Sequence, residues 1–582
     1  MSNDGAGPSG DAADASTSII DPLLEAPRQV SPLSTSKTTS QRPTLRWSNI
    51  TSDGAIVELS RTRDFRLIEQ RISTTGDRAR PTSALAAGLW FWRVRGLDSA
   101  RNATGRMTSS VWWFRVGTRS ADADRDHSWG TELDMNGDGF SDIVVGSPSA
   151  ESSRGRVDIF YGSAAGVTAT PSATLRGAAP GDRFGASLAS AGDVNGDGFA
   201  DLIVGAPAAD PAGRASAGTA SVFLGSASGV SAEPARVLNG NTDTDEFGGA
   251  VSSAGDVNGD GFADIVVGAI GADPGGRNNA GTASVYYGSS SGVQALAARV
   301  LEGSVGDGFG FSVTCVGDVN GDDFADIAVG TRYGSPAGRM NAGSVSICHG
   351  GPTGLLSAPA RLLEGAVAND QFGYSLAGAF DVNGDGLSDL VAGAYSADPG
   401  GRMFAGMAYV FVGTSSGIGE LPARLLDGAT AFDSFGFSVA SAGDIDADGY
   451  DDLIVGSPYA TPMGIAGAGS AAVFLGGSVG ITATPSRVLN GTRSSERFGQ
   501  SVRSVGDING DHFADIGVGA PAATPAGRAQ AGEVRVFVGA AAGIAATPTN
   551  TIEGATAGDN LGQSIARSRT RRSLPPSRAR SS

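Results

Sequence analysis

From about residue 119 onward the chain repeats one pattern of apolar and polar positions. The second copy is complete. Phe184-Gly185-Ala186-Ser187-Leu188-Ala189-Ser190 alternates as a half-buried strand does, and an oxygen-rich loop from Asp193 to Asp201 follows. Next comes Leu202-Ile203-Val204-Gly205, a short continuous apolar run that predicts a strand buried on both faces. A Pro/Gly segment ending at Arg214 leads to a third strand from Thr219 to Leu224, and a Gly/Ser turn from Gly225 to Gly229 leads to a fourth from Ala235 to Leu238. The loops begin at Asp134, Asp193, Asp256, Asp318, Asp381, Asp444 and Asp507, at intervals of 59, 63, 62, 63, 63 and 63 residues. Four short strands in each unit of about sixty residues are the pattern of a propeller blade. The expectation is an all-β, seven-bladed β-propeller over residues 119–566.

The two ends of this pattern complement each other. Phe184 precedes Asp193 by nine residues, but Trp129 and Gly130 leave too little chain before Asp134 for a first strand. After the seventh unit, Asn560-Leu561-Gly562-Gln563-Ser564-Ile565-Ala566 supplies the missing one. The first blade is therefore expected to be built from both ends, locking the ring.

Outside the repeats the pattern changes. Residues 1–42, rich in Ser, Thr, Asp, Ala, Pro and Gly, bury too little apolar surface to offset ordering entropy and are expected to be a disordered linker. Residues 43–118 hold five of the six tryptophans, Trp47, Trp90, Trp92, Trp112 and Trp113, and alternate clearly in Leu89-Trp90-Phe91-Trp92-Arg93-Val94-Arg95. They predict a small β-sandwich whose tryptophans are core residues. Residues 567–582 carry six arginines among Ser and Pro and read as a basic disordered tail, with contact to an anionic cell surface as the functional alternative.

Composition sharpens this picture. With 89 Gly, 26 Pro and 40% hydrophobic residues, the chain suits many short strands and tight turns better than disorder. The net charge of −18 argues against nucleic acid as a partner. Positions 1, 3, 5 and 9 of the seven loops hold 22 carboxylates, so the acidity belongs to the loops and the remainder is slightly basic. Cys315 and Cys348 give no disulfide framework and read as buried thiols, with an intra-blade disulfide as the alternative. No apolar run is long enough for a transmembrane helix, and the N-terminus shows no basic region followed by an apolar one.

Phe-Gly, then Gly-Asp-Val-Asn-Gly-Asp-Gly-Phe-x-Asp, then Val-Gly-Ala-Pro resembles the FG-GAP repeat, the blade of the integrin alpha-subunit head. The Phe-Gly pairs stand at Phe184, Phe247, Phe309, Phe372, Phe435 and Phe498. The opening Pro43-Thr44-Leu45-Arg46-Trp47 and the strands around Trp90 and Trp113 resemble a fibronectin type III-like domain. The first resemblance implies a calcium-stabilised, non-enzymatic propeller used in adhesion or recognition.

The loop itself has the logic of a calcium site. Calcium takes about 6–8 oxygens in flexible geometry, and the absence of Cys or His from the loop's ligand positions disfavours zinc and copper. Carried over residue by residue, the expected ligands in the first three loops are Asp134, Asn136, Asp138, Asp142; Asp193, Asn195, Asp197, Asp201; and Asp256, Asn258, Asp260, Asp264. In the remaining four they are Asp318, Asn320, Asp322, Asp326; Asp381, Asn383, Asp385, Asp389; Asp444, Asp446, Asp448, Asp452; and Asp507, Asn509, Asp511, Asp515. The carbonyls of Phe140, Phe199, Phe262, Phe324, Leu387, Tyr450 and Phe513 are expected to join them, the side chains pointing into the blade. Asp323 and His512 replace Gly at position 6, so those two sites are expected to be weaker. At a Kd of about 10⁻⁴ M, about 1 mM calcium stabilises by roughly 1.4 kcal/mol per site and roughly 10 kcal/mol over seven. Sites this weak need extracellular or periplasmic calcium.

Catalytic arrangements are not evident. Gly288-Ser-Ser-Ser-Gly292 and Gly413-Thr-Ser-Ser-Gly417 match a nucleophile-elbow spacing but coincide with the repeat's hairpin turn. His127, His349 and His512 show no triad or metal spacing. The expected function is recognition of a protein or glycan at a cell surface by a monomeric, secreted or surface-displayed propeller. The alternative is a carbohydrate-active or other hydrolytic propeller with its site on the face opposite the calcium loops. The short, near-uniform connections on that face, such as Ala208 to Arg214, favour the first.

Overall fold

The computed structural model of the protein describes residues 28–31, 36–38, 42–43, 45–48, 54–62, 65–76, 78–86, 88–97, 103–109, 112–116, 126–127, 133–138, 140–322, 324–385, 387–511 and 513–566. The tail at 567–582, the first 27 residues, Trp129, Gly130, Asp323 and His512 lie outside the described residues.

The repeats form seven four-stranded antiparallel sheets, one per blade, in a seven-bladed propeller. In blade two the strands are Ser187–Gly192, Asp201–Ala206, Thr219–Phe223 and Arg236–Asn239, in that order across the sheet. The second strands, Ile143–Ser147, Asp201–Ala206, Asp264–Ala269, Asp326–Thr331, Asp389–Ala394, Asp452–Ser457 and Asp515–Ala520, are buried at every position. Neighbouring blades cover both of their faces, which is why their sequence is a continuous apolar run and not an alternating one. One cluster, for example, joins Val194, Ile203 and Val222 of blade two to Phe247, Ile265 and Val267 of blade three.

The blades meet so closely that the glycine in the second strand has no room for a side chain. A Cβ on Gly205 would lie 2.0 Å from the Gly248 carbonyl oxygen of the next blade, and one on Gly456 would lie 2.0 Å from that of Gly499. The Phe-Gly pair is the other half of this seam. Phe184 bridges back to Gly155, Phe247 to Gly218, and so on round to Leu561 with Gly532.

Ring closure follows the expectation from the two chain ends. Ser564–Ile565 completes blade one, with Val145 opposite Ile565 and Gly146 opposite Ser564. Ser564 Oγ donates to the Gly185 carbonyl at 2.7 Å, the bond that Ser187, Ser312, Ser375, Ser438 and Ser501 make to the following blade. A shared apolar cluster joins Ile143 and Phe160 of blade one to Val505 and Val534 of blade seven through Ile565.

Cys315 and Cys348 are buried free thiols. Both sit opposite Ile327, one on either side, so a whole strand separates them and a disulfide cannot span the gap.

In the N-terminal region, Arg28–Ser31, Leu45–Ser48 and Arg78–Ala79 form one sheet. Gln70–Thr74, Ala55–Ser60, Gly88–Leu97, Trp112–Val116, Ser36–Thr38 and Asp126–His127 form a second, with Ala103–Thr108 paired to Gly88–Leu97. Leu45, Trp47, Leu59, Trp92 and Phe114 share its apolar core. Strands thus occur on both sides of the expected 43–118 boundaries. Arg28–Ser31 and Ser36–Thr38 correct the reading of 1–42 as wholly disordered. They are held by backbone pairing to partners distant in sequence, which apolar content does not register.

Candidate metal centres

Each oxygen-rich loop joins the first strand of a blade to the second. In blade two, Asp193 Oδ1 accepts from the N–H groups of Gly196 at 2.7 Å and Asp197 at 3.1 Å, and its Oδ2 accepts from Gly198 at 2.8 Å. Asn195 Nδ2 donates to Asp197 Oδ2 at 2.8 Å, and Asp197 Oδ1 accepts from Phe199 N–H at 3.0 Å. The chain is thereby coiled so that positions 1, 3 and 5 share one concavity.

Position 9 forms its floor. Asp142, Asp201, Asp264, Asp326, Asp389, Asp452 and Asp515 are all at most 1% exposed. One oxygen of each accepts from the N–H of loop position 2, at 2.8–3.0 Å. The other accepts from a glycine N–H after the third strand, Gly162, Gly225, Gly288, Gly350, Gly413, Gly476 or Gly539, at 2.8–3.1 Å. Each oxygen retains a second lone pair. Position 1 is buried at Asp193, Asp256, Asp318, Asp381, Asp444 and Asp507 and partly buried at Asp134, whereas position 3 is partly buried throughout. Position 5 is exposed at Asp197, Asp260, Asp322, Asp385, Asp448 and Asp511. Each loop is a cup of oxygen donors running from an exposed rim to a buried floor.

Burial pushes all seven floor carboxyls well above the usual carboxylate range, and neighbouring loop carboxylates add to the effect. A cation in the cup would relieve both penalties at once. The all-oxygen donor set fits calcium. The sixth loop is the most concentrated: Asp444, Asp446 and Asp452 each place an oxygen within 4.8 Å of the others.

The position-7 side chains correct an expectation. Phe199, Phe262, Phe324, Leu387 and Tyr450 lie across the loop of the preceding blade. A Cβ on Gly137, whose φ is +67°, would meet Phe199 Cε1 at 2.6 Å, and one on Gly384 would meet Tyr450 Cε1 at 2.7 Å. Position 4 is therefore constrained by both its left-handed backbone and the ring laid over it. The backbone couples the loops as well. Ala263 N–H donates to the Asp193 carbonyl at 3.0 Å, and the circle closes where Ser141 N–H donates to Asp507 at 3.2 Å.

The first strand runs from the Phe-Gly pair to the loop, so the residue after each Phe-Gly lies at the opposite end of the central channel. There Phe311, Tyr374 and Phe437 face Gln500 and Gln563 around a cavity of about 230 Å³. Tyr374 stands 4.9 Å from Phe311, 5.1 Å from Phe437 and 4.3 Å from Tyr395, ring centre to ring centre. The Arg332 guanidinium lies 4.5 Å over Phe311 and 4.3 Å over Tyr333. This unequal mouth escaped the sequence reading, which weighed the near-uniform connections on that face and not the residue after Phe-Gly. Variation at that one position, Ala186, Gly249, Phe311, Tyr374, Phe437, Gln500 and Gln563, was the available signal.

The serine-rich Gly288–Gly292 stretch is a hairpin turn: Ser289 Oγ donates to the Gly292 carbonyl at 2.7 Å. His349 Nδ1 lies 3.1 Å from Asn320 Nδ2 of the fourth oxygen-rich loop.

Residues 132–160, 184–223, 247–286, 310–348, 372–411, 435–474 and 498–537 match the profile of the FG-GAP repeat. Integrin alpha-IIb from Mus musculus is 37% identical over 223 residues, covering 37% of this chain and 20% of that protein. Integrin alpha-V from Gallus gallus is 33% identical over 222 residues, again 37% of this chain and 20% of the relative. The chain spans about a fifth of the length of these relatives. Among solved structures, a periplasmic gluconolactonase from Pseudomonas aeruginosa aligns over 71% of this chain and 96% of its own, with a TM-score of 0.38 and 12% identity. That likeness is too distant to bear on function.

Proposed function

Since the chain is a seven-repeat FG-GAP β-propeller of the integrin alpha type, we infer that it is a calcium-binding recognition module. The observation that carries this reading is the sevenfold oxygen cup, whose carboxylate floor is buried and crowded with like charge. Calcium would be held by the side chains at positions 1, 3, 5 and 9 of each loop, with the carbonyl at 7. It would supply the positive charge that the floor carboxylates lack. The ion acts as a structural clasp between the first and second strands, and the linked loops carry that order round the rim.

Recognition itself falls to the opposite mouth, where the ring's symmetry breaks. Aromatic faces and a pair of side-chain amides suit a protein or glycan partner. A calcium requirement at these affinities implies an extracellular or periplasmic setting. The cavity at the mouth is lined by no Asp, Glu, His or Cys among the described residues. An acid/base pair for hydrolysis is therefore lacking there, and we rank a binding role above a hydrolytic one. Screening the calcium-loaded chain on a glycan array and against extracellular matrix proteins, alongside a panel of glycosidase and esterase substrates, tests this. Saturable binding without turnover is expected; turnover without any binding partner reverses the ranking.

A further inference from the structure

Among the described residues that line the channel below the aromatic mouth, one is charged, Arg503. It projects from the first strand of blade seven, at the place where the other first strands carry Ala189, Ser252, Thr314, Ala377 and Ala440. Its side chain lines both the mouth cavity of about 230 Å³ and a smaller chamber of about 60 Å³ beneath it. No carboxylate lines either space among the described residues. The guanidinium's protein contacts are two carbonyls, through Nη1, to Val502 at 2.9 Å and Val439 at 3.4 Å. Burial lowers its pKa to about 10, so it stays charged at neutral pH.

Two other enclosed arginines of the ring are neutralised by carboxylates. Arg535 lies 2.6 Å from Glu496 and 3.0 Å from Glu533, and Arg156 lies 2.9 Å from Asp158 and 3.4 Å from Asp559. A guanidinium offers five N–H donors in a planar fork that matches a carboxylate or a tetrahedral oxyanion. Two carbonyl contacts through one nitrogen leave most of that fork directed at the channel. Ser190, Ser253 and Thr314 border the smaller chamber, but the Ser253 hydroxyl donates to the Asp264 carbonyl at 3.3 Å and the Thr314 hydroxyl to the Cys315 carbonyl at 3.1 Å, so the guanidinium is the principal donor there. A space of about 60 Å³ holds one small ion and no extended chain.

We propose that Arg503 forms the heart of an axial anion site, in which the channel takes up one small oxyanion of carboxylate or sulfate size. The protein would thus hold cations round its rim and an anion on its axis. Isothermal titration calorimetry of the calcium-loaded chain with sodium acetate and with sodium sulfate, at constant ionic strength, tests this. The wild type should show a saturable one-to-one isotherm with at least one of the two. Arg503→Met, checked for folding by circular dichroism, should bind at least about tenfold more weakly, as expected when charge-assisted hydrogen bonds are lost. Arg503→Lys should bind with intermediate strength, because it keeps the charge and loses the fork. Lack of saturable binding by the wild type, or an unchanged isotherm in a folded Arg503→Met protein, overturns the proposal. The wild-type result decides the matter even if neither variant folds.

Discussion

What a buried carboxylate does in this ring depends on which N–H groups reach it. Asp245, just ahead of the Phe-Gly of blade three, accepts from Asn241 and Thr242 N–H at 2.9 Å each and from the Thr242 hydroxyl. Asp370 occupies the same place in blade five, and burial, with Asp398 nearby, pushes its pKa up to about 6. A folded-state pKa above the unfolded value means that the folded protein prefers the proton. The stabilisation is then full below about pH 4 and is lost as the pH rises through 6. Asp370→Asn is expected to be more stable than the wild type at pH 7, on the order of 1 kcal/mol after allowance for solvent screening. The difference should vanish toward pH 4, and urea unfolding of both proteins across that range measures it. In the oxygen-rich loops, the recurring residue types were legible from the sequence because they stand at fixed spacing in every repeat. The double N–H clasp on each position-9 carboxylate was not, because one donor sits 24 residues away at Gly225 and five of its equivalents, and 20 away at Gly162.

At the scale of strands and blades, local pattern carried most of the information. In blade two the expected third and fourth strands, Thr219 to Leu224 and Ala235 to Leu238, differ from the observed Thr219–Phe223 and Arg236–Asn239 by one residue, at one end of the third and at both ends of the fourth. Continuous apolar runs and punctuating glycines are local signals, and they sufficed. Contacts set by another blade were invisible. The rings of Phe199, Phe262, Phe324 and Tyr450 lie over a glycine of the preceding blade, and Arg28–Ser31 pairs with Leu45–Ser48, where neither residue type nor period announces a partner. The glycine seam between blades gives a sharp prediction. Gly456→Ala forces a methyl group to within 2.0 Å of a backbone oxygen and should cost about 3 kcal/mol, with the blades moved apart. Gly464→Ala, where nothing lies within 4 Å but φ is +80°, should cost about 1 kcal/mol. Equal costs in chemical denaturation would contradict the close-approach explanation.

For the whole molecule, closure is the device that turns seven repeats into a ring, and the proposed ion binding would reinforce it. The unequal spacing at the chain ends disclosed closure, since a unit lacking its opening strand and a surplus strand after the last unit have one economical solution. Ending the chain at Asp559 removes Ser564 and Ile565 and leaves blade one with three strands. The melting midpoint of the propeller should then fall by roughly 5–10 °C, in the manner of a loss of several kcal/mol from a large domain. Far-ultraviolet circular dichroism is the right probe, because five of the six tryptophans lie before residue 119 and their emission reports on the N-terminal region rather than the propeller. An unchanged midpoint would show that the C-terminal strand does not hold the seam.

Ion binding is the central claim. Without a cation, seven buried floor carboxyls face like charges; with calcium in each cup, the same groups tie strands and neighbouring loops together. The most direct measurement is the thermal unfolding midpoint of the 582-residue chain, followed by circular dichroism in about 1 mM calcium and again after excess EGTA. The seven-site account predicts a fall of well over 10 °C, reversed when calcium is restored and not when magnesium replaces it. A midpoint that stays the same with the chelator present would contradict it.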